Sequence, residues 1–406
     1  MKAAKQHQTN DRQRPPAIGS SISPFTFNTS ASIEFGVGAL AKLGALTRQR
    51  IGERVFLVTD PGMIATGIVD RALKSLKDAA VEARVFSDVQ ADPPAAMILK
   101  AVEEAASANA AGVIGLGGGS SLDTAKLVAL LAPGREKLSD VYGVGAAKGP
   151  RLPLILAPTT AGTGSEVTPI SIVTTGASEK MGVVSPVILP DVALLDPELT
   201  LGLPPPTTAA TGIDAMVHAI ESYASTSANN NPISRMLACQ ALTLLGGAIE
   251  TAVHRGSEIG ARSAMLLGAM LAGQAFANSP VAAVHALAYP LGANFHIAHG
   301  LSNALVLAHV LRFNCKTAPR AYVEVAPFAF PELAQLEGQA RAEAFCDALE
   351  VVSKKCGLPQ RLREVNVPES ALPRLAHEAM NQKRLLVNNP REVTEADALE
   401  IYRKAW

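Results

Sequence analysis

The sequence predicts two domains, an α/β domain built on a parallel sheet with crossover helices and then an all-helical domain. Short β-rich runs alternate with alanine-rich segments from about Ser32 to Asp196, which is the pattern of strands joined by crossover helices. From Thr207 onward helical periodicity dominates and strand-like runs are scarce. We therefore expect the α/β domain over residues 25–200 and the helical domain over residues 201–406.

The composition indicates a globular protein that binds small molecules. With 406 residues, of which 48% are hydrophobic and 18% charged, the chain is long enough to bury two cores. The formal net charge of +0 gives no field that would attract nucleic acid or an anionic membrane. The most apolar stretch, from Ala264 to Ala277, is shorter than the roughly 20 residues that a membrane span requires. We expect a buried helix there, and neither a nucleic-acid nor a membrane partner.

The N-terminal residues and the cysteines indicate a cytoplasmic protein. Residues 1–24 are polar and lack the apolar core of a signal peptide, so we expect a disordered tail and no export. Four cysteines without a short paired spacing are too few for a disulfide scaffold of this size, and we expect free thiols in a reducing cytosol. These cysteines are Cys239, Cys315, Cys346 and Cys356.

Four strands of the predicted sheet each lead into a turn that contains glycine or proline. In open α/β sheets the loops beyond the carboxyl ends of the strands form the ligand site. The four turns, DPGM, DPP, GGGSS and PTTAGTG, are therefore expected to share one crevice. The strands are predicted at Arg54–Thr59, Glu82–Ser87, Gly112–Leu116 and Leu152–Ala157.

A glycine-rich run directly follows the third predicted strand and precedes the helical segment LDTAKLVALL. Glycines let the backbone approach a pyrophosphate without a clash from Cβ, and the N–H groups and dipole at a helix start attract the anion. The run is neither a Walker A loop nor a complete GxGxxG motif, and a plain tight turn uses the same residues. We predict a phosphate-binding loop that includes Gly118, Gly119, Ser120 and Ser121.

Asp60 and three threonines are the other candidate nucleotide contacts. Asp60 ends the first predicted strand, where its carboxylate can accept hydrogen bonds from a ribose diol and repel a 2′-phosphate, which favours NAD over NADP. The alternative is an ordinary Asp-Pro-Gly turn residue. Thr159, Thr160 and Thr163 offer hydroxyl groups after the fourth strand, although threonine-rich turns also occur without a ligand.

One carboxylate and three imidazoles have the spacing and surroundings of a metal site. Asp214 and His218 lie one helical turn apart on the same face, and apolar residues surround the pair, so a solvated position is disfavoured. His285 and His299 supply two further nitrogens from a short histidine-rich segment. This donor set suits Fe²⁺ or Zn²⁺ and leaves positions for a substrate oxygen. A lone histidine would instead be interpreted as a core residue.

Five motifs resemble the successive signatures of the iron-containing alcohol dehydrogenases, in order and over roughly residues 25–406. They are GGGSSLDTAK, PTTAGTGSEVT, DPELT, TAATGIDAMVHAIESY and the segment from His285 to Asn303. The resemblance implies an N-terminal dinucleotide-binding domain and an all-helical metal-binding domain, a plan shared with dehydroquinate synthase. It also implies an NAD(P)-linked dehydrogenase of small alcohols or reductase of aldehydes, and we expect a homodimer or a larger homo-oligomer.

The resemblance assigns functions to individual residues. The family's four metal ligands correspond to Asp214, His218, His285 and His299, the same residues that the spacing indicates, and we expect Fe²⁺ before Zn²⁺. By itself, Lys180 would be interpreted as a solvated lysine. The family's cofactor contacts correspond to Asp60, Asp92, Gly118, Gly119, Ser120, Thr159, Thr160, Thr163, Thr168 and Lys180.

The chain departs from the family pattern at Tyr289. Many members carry a second histidine four residues after the third metal ligand, where this chain has tyrosine in HALAYPLG. The family's histidine-based proton relay is therefore in question. Tyr289, one turn from His285, and His296 are the candidate proton donors, and their alternatives are a packing aromatic residue and a loop histidine.

The implied mechanism is direct hydride transfer between a substrate carbon and nicotinamide, with the metal acting as a Lewis acid on the substrate oxygen. A non-redox lyase of the dehydroquinate synthase type would need basic residues around a substrate phosphate, and Val281 to Asn303 contain no lysine or arginine. A metal-free reductase of the maleylacetate type is disfavoured by the complete ligand set. A non-catalytic nucleotide-binding protein would have no use for four ligands.

Overall fold

The computed structural model describes residues 23–176 and 179–406. The predicted disordered tail, residues 1–24, therefore lies outside the described residues except for its last two. Nine strands are present in the described part of the chain. They are β1 (Ser32–Phe35), β2 (Arg54–Val58), β3 (Glu82–Phe86), β4 (Gly112–Gly117), β5 (Gly143–Val144), β6 (Leu154–Pro158), β7 (Ile170–Thr175), β8 (Glu179–Val184) and β9 (Val192–Leu195).

Five helices connect the strands of the first half of the chain, and the second half is helical. The first five are α1 (Leu43–Arg50), α2 (Pro61–Ala65), α3 (Ile68–Asp78), α4 (Ala95–Ser107) and α5 (Gly119–Leu131). The next five are α6 (Pro205–Ala224), α7 (Pro232–His254), α8 (Ile259–Asn278), α9 (Ala283–Phe295) and α10 (His299–Cys315). The last five are α11 (Arg320–Ala329), α12 (Gly338–Lys355), α13 (Leu372–Ala379), α14 (Lys383–Leu386) and α15 (Glu395–Ala405).

Six strands form one parallel sheet in the order β1-β9-β6-β4-β2-β3. The central strands β4, β6 and β9 are completely buried, which explains their continuous apolar sequences. Alternate residues of β2 point to opposite faces of the sheet. Phe56 and Val58 pack with α4 and α5 on one face, and Val55 and Leu57 pack with α1 and α3 on the other. The prediction of a parallel sheet with crossover helices is confirmed.

The four predicted strands correspond to β2, β3, β4 and β6, with ends that agree within two residues. The other strands were not predicted: β1, β9 and a second, three-stranded sheet in the order β5-β8-β7. The chain adds β3 on one side of β2 and β4 on the other, so the strand order reverses between β2 and β4. In open α/β sheets, a crevice opens at such a point beyond the carboxyl ends of the strands.

The helical domain has its own core, in which α6, α7 and α8 pack on one another. The apolar stretch from Ala264 to Ala277 lies in α8, as expected. By length and composition, α7 is the one described helix that could cross a membrane, with a mean hydropathy of 1.5 over its most apolar window. That observation is weak, because core helices of the same length pass the same test and α7 packs against α6 and α8.

Three contacts join the helical domain to the first half of the chain. Gly164, in the loop after β6, lies against Gly273 of α8, where a Cβ on either residue would clash with the other backbone. Residues before β1 run across the helical domain, and Asn278 pairs with both backbone groups of Asn28 at 2.6 and 2.8 Å. Asn229 pairs in the same way with Thr26, at 2.9 Å for both hydrogen bonds. These contacts hold α8 and the connection between α6 and α7 against the loop after β6 and the residues before β1.

Candidate metal centre and cofactor cleft

Three helices bring one carboxylate and three imidazoles together. Asp214, His218, His285 and His299 each offer one donor atom, and all four atoms lie within 4.8 Å of one another. Donors on opposite sides of a single divalent ion lie roughly 4 Å apart, so the cluster is close to the size that one ion requires. The first three residues are buried, and the side chain of His299 is 42% exposed. The cluster is therefore enclosed on one side and open toward the cleft.

Two of these helices, α6 and α10, approach each other closely because a glycine lies between them at the candidate ligands. Asp214 and His218 lie on the same face of α6. Gly300, the second residue of α10, packs against the Ala210 carbonyl, and a Cβ at this position would also lie 3.2 Å from the Asp214 Cβ. Glycine at this position lets the start of α10 approach α6. As a result, the His299 Nε2 lies 3.6 Å from Asp214 Oδ1.

Glu221 orients His285, and the sequence analysis did not identify it. The Glu221 carboxylate accepts a hydrogen bond from His285 Nδ1 at 2.7 Å. It also accepts from the backbone N–H groups of Ala282 at 3.0 Å and Val284 at 2.6 Å. Such a contact fixes the ring and its tautomer, and leaves Nε2 available as a ligand. The available signal was spacing, because Glu221 follows Asp214 by seven residues, two turns along the same face of α6.

Asn303 is a second residue that the sequence analysis did not assign. Its amide nitrogen lies 2.6 Å from Asp214 Oδ1 and 3.3 Å from the Nε2 atoms of His285 and His299. Three acceptor atoms thus point at one electropositive group. This arrangement, together with the donor set, fits a bound cation. Asn303 follows His299 by four residues, so helical spacing alone would place both side chains on one face of α10.

The protonation states in the cluster suit metal binding. Burial lowers the pKa of His218 to about 3, so its imidazole is neutral at neutral pH. Burial alone would raise the pKa of Asp214, but the surrounding imidazoles and the Asn303 amide bring it below its ordinary value. A neutral imidazole and an ionised carboxylate are the forms that bind a metal ion.

We expect Glu221→Gln to weaken metal binding by roughly 10- to 100-fold while the fold is retained. Glutamine keeps the shape of the side chain but removes the negative charge and one acceptor for the three N–H donors. A competition titration with a chelator measures the affinity. Glu324→Gln is the matched control, because Glu324 accepts a hydrogen bond from Tyr223 at 2.9 Å but lies outside the ligand cluster. Equal affinity in the two variants would contradict the function assigned to Glu221.

A cavity of about 300 Å³ lies beyond β2 and β4. Asp60, Val89 and residues 118–121 are among those that line it, so the predicted phosphate-binding loop forms one wall. Gly117 has a φ of 152°, and a Cβ there would clash with the Ser121 side chain. A Cβ on Gly119 would lie 2.9 Å from the Thr163 methyl group. The backbone of this loop is therefore open to a ligand, and side chains at these glycines would close the turn.

Asp60 has a local structural function and also faces the cavity. One carboxylate oxygen accepts from the Met63 N–H at 3.2 Å and caps α2, and the other accepts from the Ser121 hydroxyl at 3.1 Å. The turn interpretation and the nucleotide interpretation of Asp60 are thus compatible, because the capping residue lines the cavity beside the phosphate-binding loop.

The threonines of the loop after β6 occupy different surroundings. Thr160 and Thr163 lie against Gly118 and Gly119, which joins this loop to the phosphate-binding loop. Thr159 is buried, and its hydroxyl has no partner among residues 23–176 and 179–406. Thr168 is also buried and accepts from Lys126 Nζ at 3.2 Å, so its hydroxyl is engaged in the interior.

Lys126 and Asp123 hold the two loops together. Both come from the motif GGGSSLDTAK but were not assigned a function from the sequence. Lys126 is completely buried and donates to the Ser165 hydroxyl and the Ile170 carbonyl, both at 2.7 Å. Ser165 in turn donates to Asp123 at 2.6 Å. This network fixes the start of α5 relative to the loop after β6.

Lys180 and Asp92 form an ion pair at 2.6 Å on the sheet side of the cleft. Asp92 has a positive φ of 53° and accepts from the Thr174 hydroxyl at 3.0 Å, which ties the β3–α4 connection to β7. The pKa of His299 is lowered, mainly because its ring is partly desolvated, and the charges of Asp92 and Lys180 also act on it. Asp92 and Lys180 are therefore the predicted cofactor residues whose charges reach the candidate metal cluster, at His299.

The two predicted proton donors differ in position. Tyr289 lies on α9 one turn after His285, and its ring centroid is 5.9 Å from that of His299. Burial raises the pKa of Tyr289, and the neighbouring Arg384 guanidinium only partly offsets this effect. His296 is exposed at the end of α9, with a φ of 54°. The structure thus places Tyr289 against the ligand cluster and His296 at the surface.

Comparison with known proteins identifies relatives along the whole described chain. Residues 30–197 match the family model "Iron-containing alcohol dehydrogenase", and residues 208–406 match "Fe-containing alcohol dehydrogenase family, C-terminal". Long-chain-alcohol dehydrogenase 1 of Geobacillus thermodenitrificans is 40% identical over 375 residues, which cover 91% of this chain and 94% of the relative.

Solved structures of related enzymes have the same fold. A crystal structure of 1,3-propanediol oxidoreductase superimposes with a TM-score of 0.91 at 32% identity, over 94% of this chain and 100% of the other. Sulfoacetaldehyde reductase from Bifidobacterium kashiwanohense, in complex with NAD⁺, gives a TM-score of 0.84 at 28% identity, over 94% and 98% of the two chains. The fold, the cleft and both family matches agree, and the chain belongs to the iron-containing alcohol dehydrogenase family.

Proposed function

We propose that the chain interconverts alcohols and aldehydes with NAD bound along the phosphate-binding loop and a divalent metal held by Asp214, His218, His285 and His299. The observation that carries this proposal is the convergence of four donor atoms within 4.8 Å, in a chain whose glycine-rich loop lines a cavity beyond β2 and β4. When bound, the metal supplies a Lewis acid for the substrate oxygen, and the nicotinamide accepts or donates the hydride.

In this proposal, residues of the chain bind the cofactor, orient the metal ligands and supply a proton. The loop from Gly118 to Ser121 presents backbone N–H groups at the start of α5, where a pyrophosphate is favoured. Glu221 and Asn303 hold the ligand side chains in place. Tyr289 is the proposed proton donor, and His296 is the alternative. We assign the remaining predicted cofactor contacts to Asp60, Asp92, Thr159, Thr160, Thr163 and Lys180, and leave Thr168 out because the buried Lys126 engages its hydroxyl.

We further propose Fe²⁺ as the native metal, because three imidazoles and one carboxylate suit a six-coordinate ion with positions left for substrate. The same donors also suit Zn²⁺. A cytoplasmic location is proposed on the grounds of the free cysteines, which form no disulfide in the structure.

Enzyme stripped of metal and reloaded separately with Fe²⁺ or Zn²⁺ tests the proposed function. With a panel of primary alcohols, diols and aldehydes, we expect stoichiometric formation or consumption of reduced nicotinamide, restored most by Fe²⁺. Turnover of a substrate without net change in the nicotinamide would instead indicate a non-redox lyase. Full activity of the stripped enzyme would indicate a metal-free reductase.

Asp60→Asn is expected to relax the preference for NAD over NADP by roughly tenfold or more, because a negative charge near the ribose is removed. Asparagine can still cap α2 and bond to Ser121, so the local fold should persist. The ratio of kcat/KM for the two cofactors measures the effect. Asp88→Asn, which removes a charge paired with Lys100 at the surface, is the control. An unchanged ratio in Asp60→Asn would limit Asp60 to its capping function.

The outer strand of the large sheet supports the proposed homo-oligomer. Among the described strands β1 pairs with β9 alone, and Ile33, Phe35 and Val37 are exposed on one side of this segment. An apolar edge strand of this kind is uncommon in monomers. We expect Phe35→Glu to shift the protein toward the monomer in size-exclusion chromatography with light scattering. Val144→Glu, at a position that is 79% exposed on β5, should leave the oligomer intact. Equal masses for the two variants would place the interface elsewhere.

A further inference from the structure

Arg384 places an exposed guanidinium beside the candidate active site. Its side chain is exposed, and none of the ion pairs among residues 23–176 and 179–406 includes it. The guanidinium lies close enough to Tyr289 for its charge to lower the pKa of that phenol, against the larger effect of burial, and the Tyr289 ring lies beside His299. One aromatic side chain therefore separates this cation from the metal ligands.

The position of Arg384 is built into the helical domain. The helix that carries it, α14, packs on α9, which carries His285 and Tyr289. The Asn388 amide donates to the Arg384 carbonyl at 3.0 Å and to the Val281 carbonyl, just before α9, at 3.1 Å. These two hydrogen bonds join the end of α14 to the start of α9 and hold the arginine backbone relative to the ligand helix.

The arginine also reaches the opposite wall of the cleft. A terminal nitrogen of Arg384 lies 3.9 Å from the position that a Cβ would take at Gly182 of β8. Lys180 lies two residues earlier on the same face of that strand. Lys180 is neutralised by Asp92, at 2.6 Å, whereas Arg384 forms no ion pair with any carboxylate in the described part of the chain. Of these two cations, Arg384 is thus the one whose charge is available to a ligand.

A guanidinium presents several N–H donors in a planar fork, which matches the two oxygens of a carboxylate or the oxygens of a sulfonate. We infer that the substrate is an alcohol or aldehyde that also carries an anionic group, and that Arg384 binds this group while the reacting oxygen lies at the metal cluster. This inference rests on the proposed function and specifies its substrate class. Lys383, the adjacent residue, is exposed and provides a matched control for loss of charge.

The test compares substrates that differ only in the anionic group. Wild-type holoenzyme, Arg384→Gln, Arg384→Lys and Lys383→Gln are assayed with ω-hydroxy acids of two to six carbons and with the n-alcohols of the same lengths. We expect the wild type to favour hydroxy acids at one or two chain lengths. Arg384→Gln should lower the ratio of kcat/KM for these acids to kcat/KM for the n-alcohols by roughly 10- to 100-fold, mainly through KM for the acids. Lys383→Gln should match the wild type.

A binding measurement separates recognition from catalysis. Butyrate and 1-butanol are titrated into the enzyme with bound NADH, and the fluorescence of NADH reports their dissociation constants. Butyrate should bind more weakly to Arg384→Gln than to the wild type, and 1-butanol should bind equally to both. Arg384→Lys should restore part of the butyrate affinity, since lysine keeps the charge without the fork.

Three results would overturn the inference. If the wild type oxidises n-alcohols as well as hydroxy acids, and Arg384→Gln changes neither, the substrate class is wrong while the proposed function stands. If Arg384→Gln raises KM for NAD equally with every substrate, Arg384 binds the cofactor. If the reloaded wild type oxidises neither class and reduces no aldehyde, the proposed function fails, and the inference that rests on it fails too.

Discussion

His285→Ala is expected to lose the metal and with it hydride transfer, with turnover reduced roughly 10³-fold or more. The variant removes one of four donor atoms from the cluster and leaves an incomplete site. It also leaves Glu221 buried with only its two backbone donors, which should cost about 1–3 kcal/mol of folding free energy. Metal analysis of the purified variant and its thermal unfolding midpoint measure the two effects.

His299→Ala is the matched comparison, because it removes a donor whose side chain is 42% exposed and has no buried carboxylate partner outside the cluster. Both variants should lose metal and activity. When both variants are stripped of metal, the unfolding midpoint of His285→Ala should lie several degrees below that of His299→Ala. Only His285→Ala loses a hydrogen bond to the buried Glu221 carboxylate. Full metal occupancy in His285→Ala would remove His285 from the ligand set.

Tyr289→Phe is expected to retain metal and NAD affinity but to lose roughly 10²-fold in turnover. The phenylalanine ring preserves the packing against His299, so only the hydroxyl is removed. Because burial raises the pKa of Tyr289, the phenol keeps its proton at neutral pH and is available as a donor. Turnover and its pH dependence, measured with saturating substrate, report on the hydroxyl.

His296→Ala distinguishes the two candidate donors. His296 is exposed at the end of α9, and its replacement should change turnover little if Tyr289 is the donor. Near-normal turnover with an unchanged pH profile in Tyr289→Phe would show that Tyr289 only packs against the cluster. A large loss in His296→Ala would then assign the proton transfer to that histidine.

The sequence alone was sufficient for features that depend on local spacing. Alternating apolar runs and glycine turns predicted β2, β3, β4 and β6, because strand and turn preferences act over a few residues. Asp214 and His218 were predicted to share a helical face, since a spacing of four residues determines direction on a helix. The four-residue strands β1 and β9 were not predicted. Their extended conformation depends on pairing between two segments that lie 160 residues apart in the sequence.

Only the tertiary structure decided which distant residues meet. Glu221 was visible as a residue on the ligand face of α6, but its contact with His285 depends on how α9 packs against that helix. Asn303 and Arg384 likewise acquire their positions from helix packing, which no spacing rule specifies. Thr168 lies in a threonine-rich motif, yet the buried Lys126 engages its hydroxyl. Periodicity sets the face of an element on which a side chain lies, whereas the partner of that side chain is set by the packing of elements far apart in the sequence.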